Sequence, residues 1–212
     1  MHLPVAASPL PLFRSRVVPV VVVGDPAQAV PMARALLAGG VDVMEITLRS
    51  DAALAAMEAV ARQVPDMVVG AGTVTRAAEV QRVRDAGARF ALSPGCTPTL
   101  LHAVQSVGLP FIPGVGSASE AMAARDAGFT LLKCFPAAQL GGVEVLKAWG
   151  GPLPDLRFCP TGGITPANLA QFLALPNVPM AGGSWLTPAA LVQAGDWAAI
   201  TRLAAEATAL AA

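Results

Sequence analysis

Ala118–Ala127, then Gly128, then Phe129-Thr130-Leu131-Leu132-Lys133-Cys134-Phe135-Pro136 set the pattern on which the chain is built. The alanine-rich stretch has apolar residues three and four apart and reads as a helix. A glycine closes it, supplying the left-handed conformation that ends helices. A short, almost wholly apolar run follows and stops at a proline, as a buried strand does. The same order recurs where Gly40 precedes Val41, Gly87 precedes Ala88 and Gly108 precedes Leu109. Gly87, Gly108 and Gly128 are spaced by 21 (87 to 108) and 20 (108 to 128) residues, about one helix, one strand and two short loops.

Working outward, the pattern predicts strands at Val17–Val23, Val41–Thr47, Met67–Ala71, Phe90–Ser93, Phe111–Pro113, Thr130–Phe135, Leu156–Cys159 and Val178–Ala181. Helices are predicted at Ala27–Leu37, Ala52–Gln63, Arg76–Ala86, Pro98–Val107, Ala118–Ala127, Val143–Trp149, Pro166–Leu173 and Pro188–Ala209. Strands that are apolar on both faces and alternate with helices imply a parallel sheet covered by helices. Eight such units predict an α/β chain of the (β/α)8 TIM-barrel type, one domain over residues 1–212. Residues 1–16 form an N-terminal extension, expected to be a short helix. An open doubly wound sheet would be expected to carry a glycine fingerprint after its first strand, and Gly24-Asp25-Pro26 has none.

Composition narrows the function. Apolar residues make up 54% of the chain and charged ones 13%, with fourteen basic residues balancing fourteen acidic ones. That balance lacks the basic footprint of a nucleic-acid binder. The thirty residues Phe90–Ser119 carry no charge, but Pro94, Pro98, Pro110 and Pro113 break them, so they read as core rather than a membrane span. The N-terminus lacks the build of a signal peptide. Cys96, Cys134 and Cys159 are widely spaced and read as reduced thiols of a cytoplasmic protein. His2 and His102 are too few for a histidine metal cluster, so no metal and no cofactor is expected.

In a barrel the chemistry gathers at the C-terminal ends of the strands. Lys133, one of two lysines in the chain, lies in the sixth strand. Burial disfavours an ammonium and frees the amine to attack a carbonyl; the bland alternative is a strand-end lysine whose head reaches water. With period two, Glu45 shares a face with Val43 and Thr47 and points inward, as Lys133 does with Leu131 and Phe135. The two read either as an ion pair that only satisfies buried charge, or as a nucleophile with its proton shuttle. Arg49 has the planar fork that suits a carboxylate, or is a solvated loop arginine. Thr73 follows two glycines that would let substrate near the backbone, and also suits a helix N-cap. Thr161-Gly162-Gly163 and Gly182-Gly183-Ser184 follow the seventh and eighth strands, where barrels bind phosphate; the alternative is tight turns alone. Phe135 is core or a wall for a small keto acid. Trp149, Trp185 and Trp197 read as packing, and His102 as structural or exposed. Besides Schiff-base chemistry at the lysine, two readings remain: a phosphate-binding isomerase with Glu45 as base, and a non-catalytic phospho-ligand barrel.

Taken together, Glu45-Ile46-Thr47-Leu48-Arg49, Gly70-Ala71-Gly72-Thr73-Val74, Ser93-Pro94-Gly95, Lys133-Cys134-Phe135-Pro136-Ala137, Arg157 through Ile164 and Gly182-Gly183-Ser184-Trp185-Leu186 resemble the 2-keto-3-deoxy-6-phosphogluconate (KDPG) / 4-hydroxy-2-oxoglutarate aldolase family. The resemblance runs from about Val17 to Leu203. It departs at Cys134, where relatives often carry phenylalanine or isoleucine, on the side facing away from the mouth. It implies a class I aldolase acting on a phosphorylated keto sugar acid and pyruvate. It also implies a homotrimer. A sister branch takes the galactonate epimer, and the Thr-Gly-Gly-Ile and Gly-Gly-Ser-Trp-Leu stretches look more like the gluconate branch. By resemblance Lys133 forms the Schiff base and Glu45 is the general acid/base. Arg49 and Thr73 hold the pyruvoyl carboxylate, with Pro94 and Phe135 against it. Thr161 lies near the substrate hydroxyls, and Gly162, Gly163, Gly183 and Ser184 hold the phosphate.

Overall fold

The computed structural model describes residue 10 and residues 12–212. Most of the short helix expected within 1–16 lies outside the described residues, and Leu12–Arg16 are not helical. The order is β1 (Val17–Val21), a 3-10 turn (Pro26–Gln28), α1 (Ala29–Ala38), β2 (Val43–Thr47), α2 (Ala53–Gln63), β3 (Val68–Gly72) and α3 (Ala77–Asp85). It continues with β4 (Phe90–Leu92), α4 (Pro98–Val107), β5 (Phe111–Ile112), β6 (Gly114–Val115), α5 (Ala118–Asp126) and β7 (Leu131–Cys134). Then come α6 (Gly142–Gly150), β8 (Arg157–Pro160), α7 (Pro166–Leu173), β9 (Ala181–Gly183), α8 (Ala189–Ala194) and α9 (Trp197–Leu210).

Every strand pair is parallel. Among the described residues there are two sheets, one of order β5-β4-β3-β2-β1-β9 and one of order β6-β7-β8. This differs from the expected single ring of eight strands. The cause is Pro113, which has no N–H to give a ladder; the predicted fifth strand stops before it, as β5, and a separate strand, β6, follows it. The Pro113 carbonyl is still used, accepting from the N–H of Lys133 at 2.8 Å. Between β8 and β9 the backbones meet only at an isolated bridge, Thr161 to Gly182. The eighth strand also starts later than expected, because the Ala181 N–H is the one that reaches the Arg16 carbonyl, at 2.9 Å.

The glycines read as helix closers behave as such: Gly40, Gly87, Gly108 and Gly128 have φ of 87°, 90°, 73° and 91°. The predicted last helix is two, because Gly195 turns left-handed at φ 67° and the Asp196 carboxylate accepts from Ala199 N–H at 2.9 Å to start the second. Helix α9 lies against α1 at close range. A Cβ at Gly39 would overlap Ala204, and the Thr208 hydroxyl donates to the Gly39 carbonyl at 3.0 Å.

β2 is buried at all five positions, so the sheet has an inner core as well as one beneath the helices. At the N-terminal ends of the strands the chain before β1 closes the inner core. Phe13 packs on Phe90 with ring centroids 5.4 Å apart, and the Phe90 ring occupies the space a side chain at Gly70 would take. Asp42, just before β2, fixes that segment by accepting from the N–H groups of Arg14 and Ser15 at about 3 Å and from the Arg14 guanidinium at 3.2 Å. Burial pushes the Asp42 carboxyl up, but the Ser15 and Arg14 hydrogen bonds and the Arg14 charge outweigh it and hold it below its ordinary 3.8.

A carboxylate with a depressed folded-state pKa contributes stability that is present above the unfolded value and lost as pH falls through the folded one. Asp42→Ala is therefore expected to lower the unfolding free energy by about 1–3 kcal/mol at neutral pH. The gap to the parent chain should narrow once the pH drops below 3.8. Urea titrations at neutral and acid pH check this; a gap independent of pH would show that the charge of Asp42 contributes nothing.

Candidate active site

At the opposite end of the strands two charged side chains lie in the interior. Lys133 Nζ donates to Glu45 Oε1 at 3.0 Å, with Lys133 only 5% and Glu45 1% exposed. They come from different sheets, Glu45 from β2 and Lys133 from β7. The period-two alternation that buries Met44, Ile46, Leu132 and Cys134 is what turns both inward. The other carboxylate oxygen, Glu45 Oε2, is buried without a hydrogen-bond partner among the described residues. An unmet acceptor of this kind costs about 1–3 kcal/mol, so the site keeps an acceptor free at the expense of stability.

Around the pair, neighbouring strand ends supply the remaining residues. Phe135 follows β7, partly exposed, with Lys133 Nζ 5.6 Å from its ring centroid. Arg49 lies just beyond β2, exposed and, among the described residues, without a hydrogen bond or ion pair. Thr73 lies just beyond β3, beside it, since the Leu48 N–H reaches the Gly72 carbonyl at 2.9 Å. Thr73 is the sole non-glycine among the described residues with positive φ, at 58°. For a β-branched residue that conformation costs about 1–3 kcal/mol and is held only where the surroundings fix it. It is not an N-cap of the next helix: α3 starts from Arg76, with Glu79 accepting from the Thr75 and Arg76 N–H groups.

Pro94 sits on the loop after β4. That loop crosses directly over Gly114, where a Cβ would strike the Pro94 and Gly95 backbone. Gly114 pairs with Lys133 in register, and its N–H donates at 3.2 Å to the buried Ser93 hydroxyl. Thr161 is buried just after β8, and a Cβ at Gly182 would overlap its hydroxyl. Gly162 and Gly163 have φ of 93° and 78°, and the loop continues into α7, which begins at Pro166.

The paired glycines hold two corrections. Gly182 and Gly183 are part of β9, not of the loop after it. The space beside Gly183 is filled by the Trp185 ring, and that beside Gly163 by Ala138. Likewise Gly70, read as a place for substrate to approach, faces the Phe90 ring. Ser184 is exposed at the rim. The structure thus brings Lys133, Glu45 and Phe135 into contact range and sets Arg49, Thr73, Pro94, Thr161, Gly162, Gly163, Gly183 and Ser184 on strand ends or their loops.

Three residues beside the pair have no site role in the sequence reading, Ser93, Gly114 and Cys159, the last read there as a reduced thiol. Cys159 pairs with Lys133 across β7 and β8, and its Sγ lies 3.9 Å from the Thr161 hydroxyl. Period two from Thr161 would have found it. Cys134 is fully buried on the other side of β7. Trp149 packs on Phe158 at 5.4 Å, and His102 is exposed. Among the described residues no three His, Cys, Asp or Glu side chains gather as metal ligands, and no helix is long and apolar enough to cross a membrane.

The family model described as KDPG and KHG aldolase matches residues 11–203. The chain is 55% identical over 196 residues to 2-dehydro-3-deoxy-phosphogluconate aldolase of Pseudoalteromonas atlantica, spanning 92% of this chain and 91% of that protein. It is 51% identical over 191 residues to KHG/KDPG aldolase of Escherichia coli strain K12, spanning 90% of each. The crystal structure of KDPG aldolase from Legionella pneumophila, with pyruvate captured at low pH as a covalent carbinolamine, matches with a TM-score of 0.90. That match has 45% identity and covers 92% of this chain and 94% of the other.

Burial pushes the Cys134 thiol up to about 11 and the Cys159 thiol up to about 12, the latter against an opposing pull from Lys133. Cys96, only partly buried, is raised by burial and by Glu120. Since the thiolate is the reactive form, a thiol reagent at about pH 8 is expected to modify Cys96 first. Cys134 and Cys159 should react only as the protein unfolds. Peptide mapping after timed labelling checks the order; early labelling of Cys159 would mean the interior opens to solvent.

Proposed function

The chain belongs to the KDPG and KHG aldolase family, and we propose that it is a class I aldolase whose covalent step is made by Lys133. The reaction is reversible cleavage of 2-dehydro-3-deoxy-6-phosphogluconate to pyruvate and glyceraldehyde 3-phosphate. Cleavage of 4-hydroxy-2-oxoglutarate to pyruvate and glyoxylate belongs to the same reading. The carrying observation is the buried contact of 3.0 Å between Lys133 Nζ and Glu45 Oε1.

The contact supplies the first step. Glu45 takes a proton from Nζ, and the free amine adds to the keto carbon of the substrate. The resulting carbinolamine loses water, helped by a proton that Glu45 returns, and leaves a protonated imine. That imine is an electron sink. As the hydroxyl on the β carbon gives up its proton, the bond between the α and β carbons breaks and its electron pair moves toward nitrogen. The aldehyde departs, and the remaining enamine takes a proton at its terminal carbon. Addition of water to the pyruvate imine frees pyruvate and restores the lysine. Each proton transfer occurs within reach of one carboxylate, consistent with general acid–base catalysis.

The same reading assigns the surroundings. Arg49 presents a bidentate donor to the keto acid carboxylate, with the Thr73 hydroxyl beside it. Pro94 and Phe135 wall the pyruvoyl group, and Thr161 faces the substrate hydroxyls. Gly162, Gly163, Gly183 and Ser184 hold the phosphate by backbone N–H groups and the serine hydroxyl, near the start of α7. The two sheets are read as arcs of one (β/α)8 domain: Pro113 alone separates β5 from β6, and the Thr161–Gly182 bridge joins the other edges. A homotrimer and a cytoplasmic location complete the reading and rest on the family resemblance.

Borohydride added with pyruvate is expected to fix an adduct on Lys133 and not on Lys147, which lies in α6. Labelling confined to Lys147, with loss of activity, would refute the assignment. Glu45→Gln is expected to retain the fold and to slow proton exchange at the pyruvate methyl by about 10²–10⁴-fold. Deuterium uptake at the parental rate in this variant would place the proton on another group.

A further inference from the structure

We propose that Gly72 is a positioning residue for this reaction: its missing side chain is the recess that receives the Glu45 carboxylate and aims it at Lys133. A Cβ at position 72 would overlap Glu45 Oε1 and would lie 2.6 Å from both Cδ and Cγ. Real Cβ atoms do not approach other atoms so closely in packed interiors, where a single methylene is already felt. The backbone itself does not ask for glycine here. Gly72 is absent from the positive-φ glycines, and it is a paired residue of β3, opposite Thr47. Its lack of a side chain is therefore a matter of space alone.

Along the same face of β3, two residues earlier, Gly70 makes an equivalent recess, and the Phe90 ring fills it. One recess is taken by core and the next by the proton carrier. The carboxylate has little else to fix it. Among the described residues its one hydrogen bond is accepted by Oε1 from Lys133, and Oε2 has no partner. A methyl group at position 72 would push Oε1 off the lysine, the donor it has among the described residues.

The inference rests on the reading of Glu45 as proton carrier. It is tested with Gly72→Ala, Glu45→Ala, the double variant and Glu45→Gln, in the full chain. Melting temperature and deuterium uptake at the pyruvate methyl are measured for each. Gly72→Ala is expected to slow exchange by about 10²-fold. It should lower the melting temperature in the parent background and leave it unchanged in the Glu45→Ala background, where the colliding group is gone. Failure of Gly72→Ala to fold, with recovery of folding in the double variant, supports the same conclusion. Equal destabilisation in both backgrounds, or failure to fold in both, overturns it. Exchange at the parental rate in Gly72→Ala with slow exchange in Glu45→Gln overturns this inference alone. Parental exchange in Glu45→Gln removes the reading beneath it as well.

Discussion

A lysine and a glutamate buried together constrain everything around them. Moving both charges from water into the interior costs several kcal/mol per ion, and their attraction repays this only when the geometry is held closely. Removing either partner leaves the other unpaired, a loss of about 3–5 kcal/mol. The strands that carry Glu45 and Lys133 belong to different sheets, so the pair also fixes how the two arcs face each other. The contact proposed to perform the chemistry is one the fold must form in order to bury its own charges. The second oxygen of Glu45, which has no hydrogen-bond partner among the described residues, marks the point where this is left incomplete.

The N-terminal and C-terminal ends of the strands are built for different ends. At the former, Phe13 on Phe90 and the Asp42 clasp close the interior with aromatic packing and satisfied hydrogen bonds. At the latter, Thr73 carries a strained backbone, and among the described residues Arg49 has no polar partner and one oxygen of Glu45 lacks a donor. Strain and unmet polar groups are tolerable there because the rest of the core supplies the stability.

The inward turn of Glu45 and Lys133 was readable because period two is a hard geometric rule that a short strand cannot evade. Strand–helix alternation was readable for the same reason, as were the left-handed glycines that close helices. The interruption at Pro113 was visible as a proline but not as a break between two sheets, because the ladder depends on a partner strand distant in sequence. The start of β9 at Ala181 depends likewise on Arg16, at the far end of the chain. Glycine was the residue most often misread. A sequence shows that a side chain is missing but not whether the missing volume serves a turn, a substrate or a neighbour. At Gly163 and Gly162 the backbone needs positive φ. At Gly70, Gly72, Gly182 and Gly183 the vacated space belongs to Phe90, Glu45, Thr161 and Trp185. Cys159 was legible as a reduced thiol, but its place beside Lys133 depends on the pairing of β7 with β8, strands distant in sequence.

The Thr161–Gly182 bridge is an isolated strand pairing between the two sheets, with the Phe158 N–H reaching the Asn177 carbonyl at 2.7 Å beside it. The loops read as phosphate binders leave from either side of it, Gly162 and Gly163 from one arc and Ser184 from the other. A ligand gripped by both would act as a rivet across the thinnest part of the wall. Occupancy of the site would then stiffen the molecule as a whole, and resistance to heat and to proteolysis would rise with ligand concentration as binding to the native state alone requires.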